Sequence, residues 1–146
     1  MNKKLRKKIL KSSFTTKIWH PEKSVILTKK IGNGTTIHAP VWIGANVQIG
    51  QNVKIQAFAF LPEGVRLEDD VFIGPAVVFT NDLYPPSGRS QWLNTIVKRG
   101  AAIGANATIL PGIKIGKNVL IGAGSVVTKD VPDGETWVGN PAHKIR

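Results

Sequence analysis

At 146 residues with no cysteine, the chain is expected to form one domain, and it carries no disulfide framework, thiolate zinc site or cysteine nucleophile. Its formal net charge of +11 is uneven: Lys3, Lys4, Arg6, Lys7, Lys8 and Lys11 crowd the amino end with no acidic residue among them, leaving 14 of the 20 basic residues against all nine acidic ones. No apolar run approaches the roughly 20 residues that span a bilayer, and none follows the basic Met1–Lys11 as it would in a secretory leader, so the cytoplasm is the expected location.

Residues 1–18 read as a basic extension. Such an arm suits an anionic membrane surface, with Leu5, Ile9 and Leu10 giving it a weak amphipathic character, but a solvated extension is the simpler reading. Nucleic acid is not expected as a partner. The moderately positive body fits a polyanionic cofactor or substrate. From Trp19 to Lys30 the pattern is that of an imperfect first coil, as terminal repeats are usually irregular.

A strict period of six then takes over. Ile31, Ile37, Ile43, Ile49, Ile55, Leu61, Leu67, Ile73 and Phe79 are large and apolar, and a smaller residue follows each by four, from Thr35 and Val41 to Val77. The frame resumes at Val97, Ile103, Ile109, Ile115, Ile121 and Val127. Six matches neither the 3.6 of a helix nor simple alternation. It predicts an all-β fold, a parallel β-helix of hexapeptide repeats over residues 19–146, in which three short strands close one triangular coil and each coil buries its interior against the next. Gly-Asn, Ala-Asn, Gln-Asn and Lys-Asn pairs supply the corners, since Gly and Asn enter the left-handed region at low cost.

The repeat breaks once, between residues 80 and 95. The run NDLYPPSGRSQWLN excludes further coiling and predicts an external loop. Its Asn81, Asp82, Tyr84, Arg89 and Trp92 make it the expected functional element, because a rigid scaffold presents chemistry on its loops.

The segments VFIGPAVVFTNDLYPPSGRS, NTIVKRGAAIGANATILPGIKIG and IGAGSVVTKDVPDGETWVGNPAHKIR resemble the hexapeptide-repeat acyltransferases. Phe-Thr-Asn-Asp and Val-Lys-Arg-Gly-Ala make the chain similar to the N-acetyltransferases of nucleotide-linked amino sugars used for surface polysaccharides. The resemblance implies a left-handed helix, a homotrimer with sites between subunits, acetyl-CoA as donor and an amino sugar as acceptor. It makes Asn81 the residue that contacts the sugar amine, with Asp82 beside it and Tyr84 and Trp92 walling the sugar pocket. Lys129, in the turn Val-Thr-Lys-Asp, becomes a candidate for cofactor phosphate, with Lys98, Arg99, Lys144 and Arg146 behind it. Relatives place histidines at the positions that here hold Ala39 and Trp42, while His38 falls one residue early; Pro86 stands where they have arginine.

Acyl transfer to an amine needs a neutral amine, alignment and a stabilised oxyanion. His38, outward after inward Ile37, is one candidate base. The preferred route is substrate-assisted: Asn81 positions the amine and the departing thiolate takes the proton. Spacing of 18 aligns Gly104 with Gly122, and Ala105 with Ala123 and Pro141, a small-residue column where pantetheine would approach backbone amides. No metal is expected, since His20, His38 and His143 are too dispersed for the three-histidine zinc of a γ-type carbonic anhydrase. The same scaffold would also suit acetylation of a sugar hydroxyl, or a structural role without catalysis.

Overall fold

The computed structural model describes residues 15–146, so the basic stretch before Thr15 lies outside the described residues. The chain folds as a β-helix of the left-handed hexapeptide type, with about seven turns. Three parallel sheets form the faces of a triangular prism. The first contains Lys17–Trp19, Thr36–His38, Lys54–Ile55, Phe72–Ile73, Ala102–Ile103, Leu120–Ile121 and Thr136–Gly139, and Ala142–Lys144 closes it antiparallel. The second is built from Val25–Ile26, Trp42–Ile43, Phe60–Leu61, Val78–Phe79, Thr108–Ile109 and Val126–Val127. The third holds Gln48–Ile49, Val65–Leu67, Thr95–Val97 and Lys114–Ile115.

Register follows the sixes. Ile37 pairs with Ile55 and Ile55 with Ile73, each 18 residues on, and Val97 with Ile115 likewise. Across the loop the step becomes 30, as Ile73 meets Ile103, so the break inserts two hexads' worth of chain without shifting the frame. Every large repeat residue from Ile37 to Val127 is buried, as are the smaller Val41, Val47, Val53, Ala59, Val65, Val71 and Val77. The core is therefore one continuous column of interdigitated Ile, Val and Leu, and outward residues alternate with it along each strand.

Corners behave as the sequence predicts: Asn46, Asn52, Asn106 and Asn118 take positive φ. Phe58 sits at an equivalent corner with φ 67 and its ring is 67% exposed, a conformation unfavourable for a bulky side chain.

Both ends depart from the period. Ile18 pairs with Ile37, 19 residues on, so the first-face ladder starts at Lys17, ahead of the boundary drawn at residue 19. At the other end Ile121 meets Trp137 after only 16. Trp137 is 6% exposed and lies where the next apolar layer would begin, closing the prism; its indole N–H donates to Glu135 at 2.7 Å. That carboxylate also pairs with Lys144 at 3.0 Å.

Candidate active site

Asn81 lies two residues beyond Phe79, at the edge between the second and third faces, where the loop leaves the prism. It is half-buried. Its Nδ2 donates to the main-chain carbonyl of Glu63 at 3.0 Å, and its own carbonyl accepts Leu93 N at 2.8 Å. The first bond fixes the amide plane: nitrogen faces the coil, and Oδ1, with no donor among the described residues, is left as an acceptor. The loop exit is tied down by Thr95 N on the Gly64 carbonyl at 3.1 Å.

Asp82 organises the loop itself. Its carboxylate accepts Ser87 Oγ at 2.5 Å, Ser87 N at 2.8 Å and Tyr84 N at 3.2 Å, and the Ser87 bonds hold its pKa below the usual carboxylate value. Tyr84 is 79% exposed and Trp92 38% exposed, on the open side of the loop.

Glu63 carries no distinguishing signal in the sequence, yet it supports this corner twice. Besides receiving Asn81 on its carbonyl, its carboxylate accepts Arg89 Nη2 at 2.6 and 2.9 Å and Asn46 Nδ2 at 3.4 Å. Arg89 lowers the Glu63 pKa. The partners are 26 residues apart and follow no period, so spacing alone could not have joined them.

The small-residue column lies on a different edge, between the first and second faces. Extending the ladders by one residue places His38, Gln56, Gly74, Gly104 and Gly122 one above another. A Cβ on Gly74 would come within 2.8 Å of Ala105 N, and one on Gly104 within 2.6 Å of Ala123 N. These two amides have no acceptor among the described residues. Three of the equivalent amides on the edge between the third and first faces are capped by carboxylates: Gln51 N by Asp69 and Lys117 N by Asp133, each at 2.8 Å, and Arg99 N by Glu68 at 2.9 Å. Glycine thus leaves the Ala105 and Ala123 N–H donors uncovered on this edge, as it also leaves Glu63 N beside Gly44 and Asp69 N beside Gly50 on the other two.

The structure brings together Gly104, Ala105, Gly122 and Ala123, with His38 three coils away on the same edge, about 14 Å at roughly 4.8 Å per strand. Pro141 does not join them, because the last coil is two residues short and puts Gly139 above Ala123. Lys129 lies at the next edge, its Nζ 5.5 Å from the Trp137 ring centroid, beside a cleft of about 430 Å³ lined by Thr128, Asn140, Pro141, Ala142 and His143. His38 is half-buried and stacks on Trp19 with ring centroids 6.4 Å apart. Within one chain, then, Asn81 and His38 stand on separate edges. Among the described residues no three His, Asp or Glu side chains are grouped to hold a metal ion.

Comparison with known proteins agrees with this architecture. The family model for bacterial transferase hexapeptide (six repeats) matches residues 94–129. The dTDP-3-amino-3,6-dideoxy-alpha-D-galactopyranose 3-N-acetyltransferase of Aneurinibacillus thermoaerophilus is 44% identical over 153 aligned positions, covering 91% of this chain and 79% of that protein. The galactoside O-acetyltransferase of Escherichia coli K12 is 31% identical, covering 99% of this chain and 78% of that one. Among solved structures, a histidine-to-alanine variant of the GDP-perosamine N-acetyltransferase of Caulobacter crescentus, in complex with CoA and GDP-perosamine, superposes with a TM-score of 0.75 at 28% identity, over 99% of this chain and 63% of that one. The chain spans 27%, 68% and 79% of the length of three of the curated relatives it matches. With its repeat-built prism, glycine-opened edge and single loop, the chain belongs to the hexapeptide-repeat acyltransferases.

Proposed function

We propose that the chain transfers an acetyl group from acetyl-CoA to the amine of a nucleotide-linked amino sugar, in the cytoplasm and for surface polysaccharide synthesis. The observation that carries this reading is the Asn81 amide: its nitrogen is turned to the Glu63 carbonyl, so the oxygen Oδ1, which no donor among the described residues reaches, is the atom that accepts a hydrogen bond from an amine. The similarity to two amino-sugar N-acetyltransferases supports the substrate class.

For the donor, the edge carrying Gly104, Ala105, Gly122 and Ala123 fits an extended pantetheine arm, since no side chain intervenes and the Ala105 and Ala123 N–H groups are unspent. Bound there, acetyl-CoA supplies an activated thioester. Asn81 orients the amine so that its lone pair meets the thioester carbon. The C–N bond forms, the C–S bond breaks, and the amine proton leaves on the thiolate as free thiol. An unspent backbone N–H of the Ala105 type is suited to the developing oxyanion. No side-chain base is required, and the distance between the His38 and Asn81 edges argues against one acting within a single chain.

The two edges are combined by a homotrimer, in which one protomer's loop meets its neighbour's glycine edge. The outward residues of the second face support this assembly: Val25, Trp42, Phe60, Val78, Thr108 and Val126 include no charge, although the chain carries +11. Trp42 and Phe60 stack on that face and stay 43% and 39% exposed in the single chain.

The test is replacement of Asn81 by Ala with acetyl-CoA and a nucleotide-linked amino sugar. Turnover should fall by about 10²-fold through lost alignment, with assembly unchanged, while His38→Ala should keep at least about half the activity. Full activity in Asn81→Ala would remove the residue from the site.

A further inference from the structure

We propose that Glu63 and Arg89 are positioning residues for the sugar-binding loop, their ion pair holding its outer half over the edge where Asn81 sits. The inference deepens the reading above and takes its ligand from it. At its root the loop is tied through Asn81 to Glu63 and through Leu93 N to the Asn81 carbonyl. At its exit, Thr95 N bonds Gly64 and the Leu93 side chain lies over Gly112.

Between these ends, Asp82 closes the turn locally with Tyr84 and Ser87, and Trp92 N bonds Arg89 in the short 3-10 turn Arg89–Gln91. None of those bonds reaches the prism. Among the described residues, the hydrogen bond from residues 83–92 to the coils is the one that Arg89 makes to Glu63. One guanidinium nitrogen reaches both carboxylate oxygens, and Asn46 steadies the carboxylate from the neighbouring coil. Glu63 therefore holds Asn81 with its main chain and the loop tip with its side chain. Tyr84 and Trp92, the expected walls of the sugar pocket, lie on the span so restrained.

Charge-assisted bonds of this length are strong and directional. Arg89 is nevertheless 69% exposed and Glu63 28%, so salt screens the pair and its effect falls on loop geometry, not on the stability of the prism.

The experiment compares Arg89→Gln, Glu63→Gln and the reversed pair Glu63→Arg with Arg89→Glu, varying nucleotide sugar and acetyl-CoA separately. Each single variant should raise KM for the sugar by about twofold to fivefold and leave KM for acetyl-CoA unchanged. The reversed pair should recover most of that loss. Limited proteolysis of the free enzyme should cut residues 83–92 faster in each single variant and be slowed again in the reversed pair. Thermal unfolding checks that all variants fold. An unchanged sugar KM with unchanged cleavage, an equal rise in acetyl-CoA KM, or a reversed pair no better than the singles would overturn the proposal. If the parent enzyme turned over no amino sugar, the functional reading would fail, and the cleavage pattern would still decide the restraint.

Discussion

Asn81 illustrates how a side chain is given its chemical sense by its neighbour. An asparagine offers both donor and acceptor, and the bond of one N–H to the Glu63 carbonyl turns the nitrogen to the coil and leaves Oδ1 as the acceptor proposed to meet an amine. The same glutamate links the site to pH. Arg89 depresses the Glu63 pKa, and the Ser87 bonds depress that of Asp82. A depressed carboxylate contributes its stabilisation in full above its unfolded value, 4.5 for Glu and 3.8 for Asp here, and loses it as pH falls through the lower folded value. Loop protection against proteolysis should therefore be flat from neutral pH to about 5 and decline below it. Arg89→Gln should weaken protection at neutral pH and lose part of that acid decline; an identical profile in both proteins would contradict the assignment. Asn81 was legible in the sequence because it stands where the sixes stop. Glu63 was not, since in Leu61-Pro-Glu-Gly it reads as an ordinary corner residue.

At the scale of the hexad, the sequence determines nearly everything through two facts: large residues every sixth place, and at most corners a left-handed residue three places later. Phe58 is the bulkiest residue at a corner that Asn or Gly fills in most other coils. Holding a bulky L-residue in that region costs about 1–2 kcal/mol. Phe58→Asn should accordingly raise the thermal midpoint of the isolated fold, by a few degrees for a domain of this size. A lower midpoint would mean that the exposed ring makes contacts worth more than the strain. The final coil was illegible for a related reason. A column drawn from the period assumes steps of 18, but the closing step is 16 so that the Trp137 side chain can cover the last apolar layer, and Pro141 is thereby displaced from the column that Gly104 and Gly122 form.

For the whole molecule, the three faces are chemically distinct. The third presents Gln48, Arg66, Ile96 and Lys114 outward, whereas the second is uncharged along its length. A chain of +11 that leaves one face free of charge has a face suited to another copy of itself, and a threefold ring is closed by such contacts. Trp42→Glu or Phe60→Glu should convert the proposed trimer to monomer by sedimentation, with secondary structure intact and turnover lost. A trimer that survives both substitutions would place the interface elsewhere. Periodicity made the prism legible without any side-chain contact, but how two edges of separate prisms meet lies beyond a single chain's pattern.

Whether the acceptor is an amine on a nucleotide-linked sugar can be decided by presenting acetyl-CoA with matched nucleotide-linked sugars, amino and hydroxy at the same carbon, and following release of free thiol. An amino sugar should turn over to an N-acetyl product, with little or no turnover of its hydroxy counterpart. Turnover of hydroxy sugars alone would contradict the proposed chemistry.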